Sequence, residues 1–337
     1  MSEPSPRAAA SPFPTLDLAT ALPATLVGAH VAIGNFDGMH RGHQAVLAAT
    51  LDRARAAGRP ALALTFEPHP RSFFAPERPV FRLTPPAAKA RLAAALGLDG
   101  LVIGAFDGAL AALSAEAFVE EILVGRLGIA GATIGWDFHF GAKRTGSPAF
   151  LDAAGRRHGF TVDVVEPHGC EDGDLVSSSR IRAALAGGDL AEACGLLGYR
   201  WFVEGTIVGG DRRGRDLGFP TANMRLPADC ALRQGVYAVT FTVDGVAHGG
   251  VANWGRRPQF DNGAPVLETF VFDFSGDLYG KTVDVGFVSF LRDEAKFASV
   301  EALIAQMRLD TAEARAAIAG LAPGSALDRA LGEVDRP

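Results

Sequence analysis

The sequence is poor in cysteine: three thiols in 337 residues, at Cys170, Cys194 and Cys230. They are odd in number and far apart, so they form neither a disulfide framework nor a CxxC metal site. Structural thiols in a reducing compartment are the remaining reading. No apolar run approaches the ~20 residues that span a bilayer, which removes a membrane from the expected partners. The nucleotide loop GxxxxGK(S/T) is missing, and so is the HExxH of zinc proteases. An excess of basic charge is missing too. The net charge is −6, against the basic footprint of nucleic-acid binders. The first 22 residues, "MSEPSPRAAASPFPTLDLATAL", lack the apolar core of a secretory signal and read as a disordered leader. The chain is expected to be cytoplasmic.

What is present is an ordinary globular balance, 48% hydrophobic and 21% charged, on a length that predicts two domains. Residues 26–33, 61–66, 101–106, 132–136 and 161–166 read as strands. They are separated by helical patterns over 44–57, 87–96, 115–127 and 149–158. That alternation predicts an α/β domain with a parallel sheet, over 23–186. Residues 179–198 read as two short helices broken at Gly187-Gly188, with 187–198 as a linker. From 199 to 320 strands follow one another without helices, at 202–208, 236–243, 246–252, 266–274 and 282–291. This predicts a small antiparallel barrel closed by a terminal helix, with 321–337 as a flexible tail.

Four stretches carry chemistry. The turn "GNFDGMHRGH" leaves the first strand at its carboxyl edge, where ligands bind in such folds. Gly34 and Gly38 let the backbone approach a ligand, and the following helix aims its N–H groups at an anion. His40 and His43 are at i, i+3 with Arg41 between them, which is not the zinc-protease spacing. They serve either as capping residues or as phosphate ligands on a first helical turn. Asp37 would repel a phosphate if it pointed inward, and so reads as a residue that shapes the loop. In "SSSRIR", serines open a helix, while Arg180 and Arg182 are two apart and cannot both face one ligand. In "GTIVGGDRRGRDLGFPTANM", a flexible cationic loop with Gly210, Arg213 and Arg215 suits phosphates. Thr221 and Asn223 then point the same way from an extended segment, as hard oxygen donors for Mg²⁺. Alternation in "VLETFVFDF" puts Glu268 in line with Val266, Phe270, Phe272 and Phe274. Partial burial there would make its carboxylate a better base for an alcohol.

The ordered set GxFDGxHxGH, "TFEPHP", "GWDFHFG" and SSSxIR, followed by "RGRDLGFPTAN", "LETF" and "FDFSGDLYG", resembles the bacterial bifunctional riboflavin kinase/FAD synthetase family. The likeness covers about residues 26–186 and 199–310. It implies an HxGH nucleotidyltransferase-like Rossmann-type domain, then a riboflavin kinase-like barrel. It implies a catalytic set of His40, His43, Ser178, Ser179 and Arg182 for transfer, the last three on the β/γ-phosphates, with Glu268 as the base of the kinase. It implies nucleotide contacts from Gly34, Phe36, Asp37, Gly38, Gly210, Arg213, Arg215, Thr221 and Asn223, and Mg²⁺ at the last two. His69, Asp137 and Phe138 would border the flavin.

Two departures from the family pattern stand out. Ser179 replaces the usual Thr and keeps the hydroxyl. Gln259 replaces the Thr of the usual PTF segment, which bears on kinase affinity more than on kinase chemistry. The implied function is phosphorylation of riboflavin by ATP to FMN, then adenylylation of FMN by ATP to FAD. Flavins are substrate and product, Mg²⁺ accompanies ATP, and no nucleic acid is involved. The alternatives are a synthetase with a weakened kinase, or a flavin-binding regulator without turnover.

Overall fold

The computed structural model describes residues 13–167, 169, 175–209, 219–255 and 265–332. Contacts divide it into two compact units. The first is built from Met1–Phe36, Gln44–Phe73 and Lys89–Pro167; the second from Asp37–His43, Phe74–Ala88 and His168–Pro337. The cut therefore falls earlier than the expected linker. It also carries the HxGH turn and residues 74–88 into the second unit, together with the segment that follows residue 167.

In the first unit six parallel strands form one sheet in the order β1-β4-β3-β2-β5-β6. They are β1 (Thr15–Asp17), β2 (His30–Ile33), β3 (Ala61–Glu67), β4 (Gly100–Ala105), β5 (Gly131–Gly135) and β6 (Thr161–Val165). The chain runs outward one way through β2, β3 and β4, then reverses to β5 and β6. The loop leaving β2 thus starts at the switch point of the sheet. β2 is buried at all four positions, as a strand covered on both faces must be. It is shorter than the expected 26–33, because Ala24–Leu26 form a 3₁₀ turn.

The helices are α1 (Arg41–Ala56), α2 (Pro70–Phe74), α3 (Pro86–Ala95), α4 (Gly108–Ala112), α5 (Ala115–Ala117) and α6 (Pro148–His158). Ser114 caps α5 by accepting from the Ala117 N–H, and a wider π-helical stretch continues it over Phe118–Arg126. Ser147 caps α6 ahead of a proline at the first helical position, and Gly159 ends it at φ +83°. Val31, Leu62, Val102, Ile134, Val119 and Leu151 sit in the core between sheet and helices.

Strand β1 lies inside the expected 22-residue leader. Its three residues pair in parallel with Leu101–Ile103 of β4, so residues 15–17 belong to the fold.

In the second unit α7 (Ser178–Gly187) and α8 (Leu190–Leu197) meet at Gly188, held in the left-handed region at φ +80°. Helix α8 occupies most of the expected linker, since Asp189 caps it and Leu190, Ala193, Leu196 and Leu197 are buried. Six strands then close a barrel in the order β10-β11-β8-β7-β12-β9. These are β7 (Phe202–Val208), β8 (Thr221–Arg225), β9 (Gly235–Val243), β10 (Val246–Gly255), β11 (Val266–Val271) and β12 (Thr282–Arg292). The sequence marks β8 only as an extended segment.

Trp254, Leu267, Met224 and Ile207 align across adjacent strands and fill the barrel. The opposite face of β11 carries Phe270, and Phe272 follows just past the strand's end. That row packs with Ala238 against Ala314 and Ile318 of helix α9 (Val300–Ala319). The apolar alternation around Glu268 is thus the seat of the terminal helix. A short helix α10 (Ala326–Ala330), closed by a capping box at Ser325 and Asp328, lies in the expected tail.

Candidate active sites

The HxGH turn is built against its backbone preferences. Phe36, Gly38 and Met39 have φ of 46°, 88° and 37°, a left-handed region that costs a non-glycine residue. Within the second unit a dense set of bonds holds the turn. The Asp37 carboxylate accepts from the Thr84 N–H at 3.0 Å and from the Arg182 guanidinium. The Ser178 hydroxyl donates to the Asp37 carbonyl at 2.8 Å. The Gly38 N–H donates to the Thr84 hydroxyl, and the Tyr199 hydroxyl donates to the Gly38 carbonyl, both at 2.8 Å. A side chain at Gly38 would also come within 2.9 Å of Leu83.

The histidines follow directly. Their rings stack with centroids 3.7 Å apart and planes 16° from parallel. The His43 N–H donates to His40 Nδ1 at 3.3 Å. An Nδ1 that accepts leaves the ring hydrogen on Nε2, where it can donate to an anion's oxygen. Helix α1 starts at Arg41, so His43 lies in its first turn with the N-terminal amides.

Two members of the expected nucleotide set are repositioned. Phe36 is 1% exposed, so its ring has no surface to offer a nucleotide; it packs over Gly34 instead. Asp37 is 3% exposed and its carboxylate is engaged by Thr84 and Arg182. It anchors the loop from inside and keeps negative charge away from the side where an anion would come.

The serine–arginine segment divides its labour. Ser177 caps α7 by accepting from the Arg180 N–H. Ser178 binds the Asp37 carbonyl, and Ser179 is exposed. Arg180 pairs with Glu192 at 2.6 Å. Arg182, besides Asp37, donates through Nε to the Phe81 carbonyl at 2.6 Å. Two arginines two apart do face different ways.

In the first unit a residue without a sequence-level role is central. Lys89 of α3 is 2% exposed, and its ammonium donates to three oxygens: the Asn35 carbonyl at 3.1 Å, Thr65 Oγ1 at 3.2 Å and Glu67 Oε1 at 2.9 Å. Thr65 Oγ1 donates to the same Asn35 carbonyl at 2.8 Å. Lys89 therefore ties the turn after β2 to the end of β3, where "TFEPHP" begins. The Gly34 N–H adds a bond to the Leu64 carbonyl. The signal was available: helical spacing puts Lys89 in line with the buried Leu92 and Ala93.

His69 is half-buried, and its Nδ1 accepts from the Arg71 N–H at 3.1 Å at the start of α2. Asp137 is exposed beside Trp136, while Phe138 stacks on Phe140 at 5.5 Å and so borders the core.

On the barrel, Asn223 of β8 lies directly opposite Glu268 of β11, and Glu268 opposite Asn253 of β10. Directly opposed residues share a face, so a carboxylate sits between two carboxamides. Asn253 also donates to Glu294 at 3.3 Å. Asn223 is buried and Glu268 half-buried. Thr221 is two residues before Asn223 on the same face, opposite Phe270. Phe219 meets the Phe270 ring edge-on at 5.1 Å. Gly210, Arg213, Arg215 and Gln259 lie outside the described residues.

Residues 22–180 match the FAD synthetase family model and residues 197–318 the riboflavin kinase model. A bifunctional riboflavin kinase/FMN adenylyltransferase of Pseudomonas fluorescens is 43% identical over 86% of this chain and 93% of its own. The chain belongs to the bifunctional riboflavin kinase/FMN adenylyltransferase family. The Escherichia coli K12 member is 39% identical over 86% of this chain and 92% of its own. A crystal structure of a macrolide-efflux protein from Streptococcus pneumoniae superposes with a TM-score of 0.78 at 29% identity, covering 89% of this chain and 98% of that one. The likeness to it is one of fold; among the described residues no helix is long and apolar enough to cross a membrane. Membership in the riboflavin kinase/FMN adenylyltransferase family spans both the HxGH turn and the barrel carboxylate.

Proposed function

We propose that this chain converts riboflavin to FMN on the barrel and FMN to FAD at the HxGH turn, with ATP as donor in both steps. The observation that carries the reading is a cluster of polar groups at each place. One is the stacked histidine pair on a rigidly anchored turn; the other is Glu268 between Asn223 and Asn253.

In the adenylyl transfer an FMN phosphate oxygen attacks the α-phosphorus of ATP and pyrophosphate leaves. The phosphate is already a nucleophile, so the protein's part is positioning and charge stabilisation. His40 Nε2–H and the first amides of α1 point donors at the phosphates. Ser179, exposed at the start of α7, is free to add its hydroxyl on the β/γ side. Arg182 supports them by fixing Asp37. Gly34 and Gly38 shape the turn, and His69, Asp137 and Phe138 border the flavin.

In the phosphorylation Glu268 takes the proton of the ribityl 5′-hydroxyl, whose oxygen attacks the γ-phosphorus as ADP leaves. Gly210, Arg213 and Arg215 supply backbone N–H and guanidinium donors for the ATP phosphates. The hard oxygen donors Thr221 and Asn223 suit Mg²⁺, which shares its shell with waters and substrate phosphates. When bound there, the ion neutralises charge on the ATP phosphates. ATP and flavins are then the partners, and the cytoplasm the place of action.

Both family segments are present, which supports two activities over one. The test is to incubate the purified chain with riboflavin, excess ATP and Mg²⁺ and to separate flavins by chromatography. FMN appearing first and FAD after it is the expected course. Riboflavin left untouched while added FMN becomes FAD would remove the kinase half of the reading.

A further inference from the structure

The turn that precedes the two histidines cannot hold itself. Three of its residues lie in the left-handed region, and two of them carry side chains. Such backbone persists only where its surroundings over-determine it. The peptide groups flanking Gly38 are fixed at both ends, and the two anchors come from different parts of the chain. Thr84 accepts from the Gly38 N–H and lies within residues 22–180, the FAD synthetase match. Tyr199 donates to the Gly38 carbonyl and lies within residues 197–318, the riboflavin kinase match.

The Tyr199 phenol is suited to that task. Its ring is 2% exposed, and burial pushes its pKa well above the ordinary range, so the hydroxyl keeps its proton to donate. Arg41, between the histidines, is held from the same side: its Nε donates to the Gly195 carbonyl at 2.7 Å, again beyond the synthetase match. Three residues after Tyr199 the chain enters the barrel's first strand.

We propose that Tyr199, a residue of the kinase-like segment, is a positioning residue for adenylyl transfer: its hydroxyl fixes the Gly38–Met39 peptide and, through it, the placement of His40 and His43. The proposal rests on the functional reading above and deepens it. Adenylyl transfer is completed by a side chain from the kinase segment.

The test uses the full-length chain with Tyr199→Phe, which removes one oxygen and keeps the ring. Steady-state rates are measured for FMN to FAD and for riboflavin to FMN, with amide hydrogen exchange over residues 37–43. Losing one neutral hydrogen bond that positions a reacting group lowers the transfer kcat about five- to tenfold. The KM for FMN and the kinase kcat stay within about twofold, the scale of an indirect effect. Exchange at residues 37–43 quickens, while that of β7 does not. A purely structural role would weaken both activities together, because Tyr199 sits at the entry to the barrel. Equal losses in both activities overturn the proposal, and so does an unchanged transfer kcat. If the unmodified chain makes no FAD from FMN, the functional reading itself falls, an outcome visible before any variant is compared.

Discussion

His43 donates its backbone N–H to Nδ1 of His40, and the two imidazoles stack 3.7 Å apart. One bond thereby sets the tautomer of His40 and the mutual orientation of both rings. His43→Ala removes the stacking partner and one donor at the phosphates. FAD formation from FMN should fall by about 10²–10³, the loss seen when a transition-state donor is removed. Phosphorylation of riboflavin should be unchanged, and chromatography of both products checks it.

The register of β8, β11 and β10 makes the converse prediction. Glu268 stands between Asn223 and Asn253, so Glu268→Gln keeps the shape and hydrogen-bonding size while removing the base. Riboflavin phosphorylation should slow by about 10²–10⁴, with the FMN-to-FAD rate intact.

Lys89 predicts a stability effect rather than a chemical one. Its ammonium is buried with Glu67, 2.9 Å away, and Lys89→Met removes that ion pair. Breaking a buried pair costs roughly 3–5 kcal/mol, read as a lower urea midpoint of the first unit. The double variant Lys89→Met, Glu67→Gln should recover part of the loss, which a double-mutant cycle measures.

His30 makes stability depend on pH. It is buried at the start of β2, and burial lowers its pKa, partly opposed by Asp163. The folded state therefore resists protonation that the unfolded chain accepts near pH 6.5. Its contribution is fully present above that pH and is lost as the pH falls from there through the lowered folded value. His30→Gln should flatten the fall in Tm between pH 7 and 5 relative to the unmodified chain, whatever it does to Tm at pH 7.

Most strands were legible because their burial follows simple periods: β7 was read to the residue, and β3 to within one. The division between Arg180 and Arg182 was legible too, since two residues on a helix lie about 200° apart. β1 was hidden because three residues in a Pro- and Ala-rich stretch have no period to show, and only the edge of β4 makes them a strand. The inward turn of the Phe36 ring was not legible, because a motif marks a position without saying which way its ring turns. Tyr199 carried no local signal at all. Its partner is Gly38, 161 residues away, and only the folded chain brings them together.

The most direct test of two separate sites is complementation in one tube. His43→Ala and Glu268→Gln proteins are each given riboflavin, ATP and Mg²⁺, alone and then mixed. Alone, the first should stop at FMN and the second should leave riboflavin unchanged; mixed, they should make FAD, because FMN released by one is adenylylated by the other. FAD from either variant alone at the unmodified rate, or none from the mixture, would contradict the account.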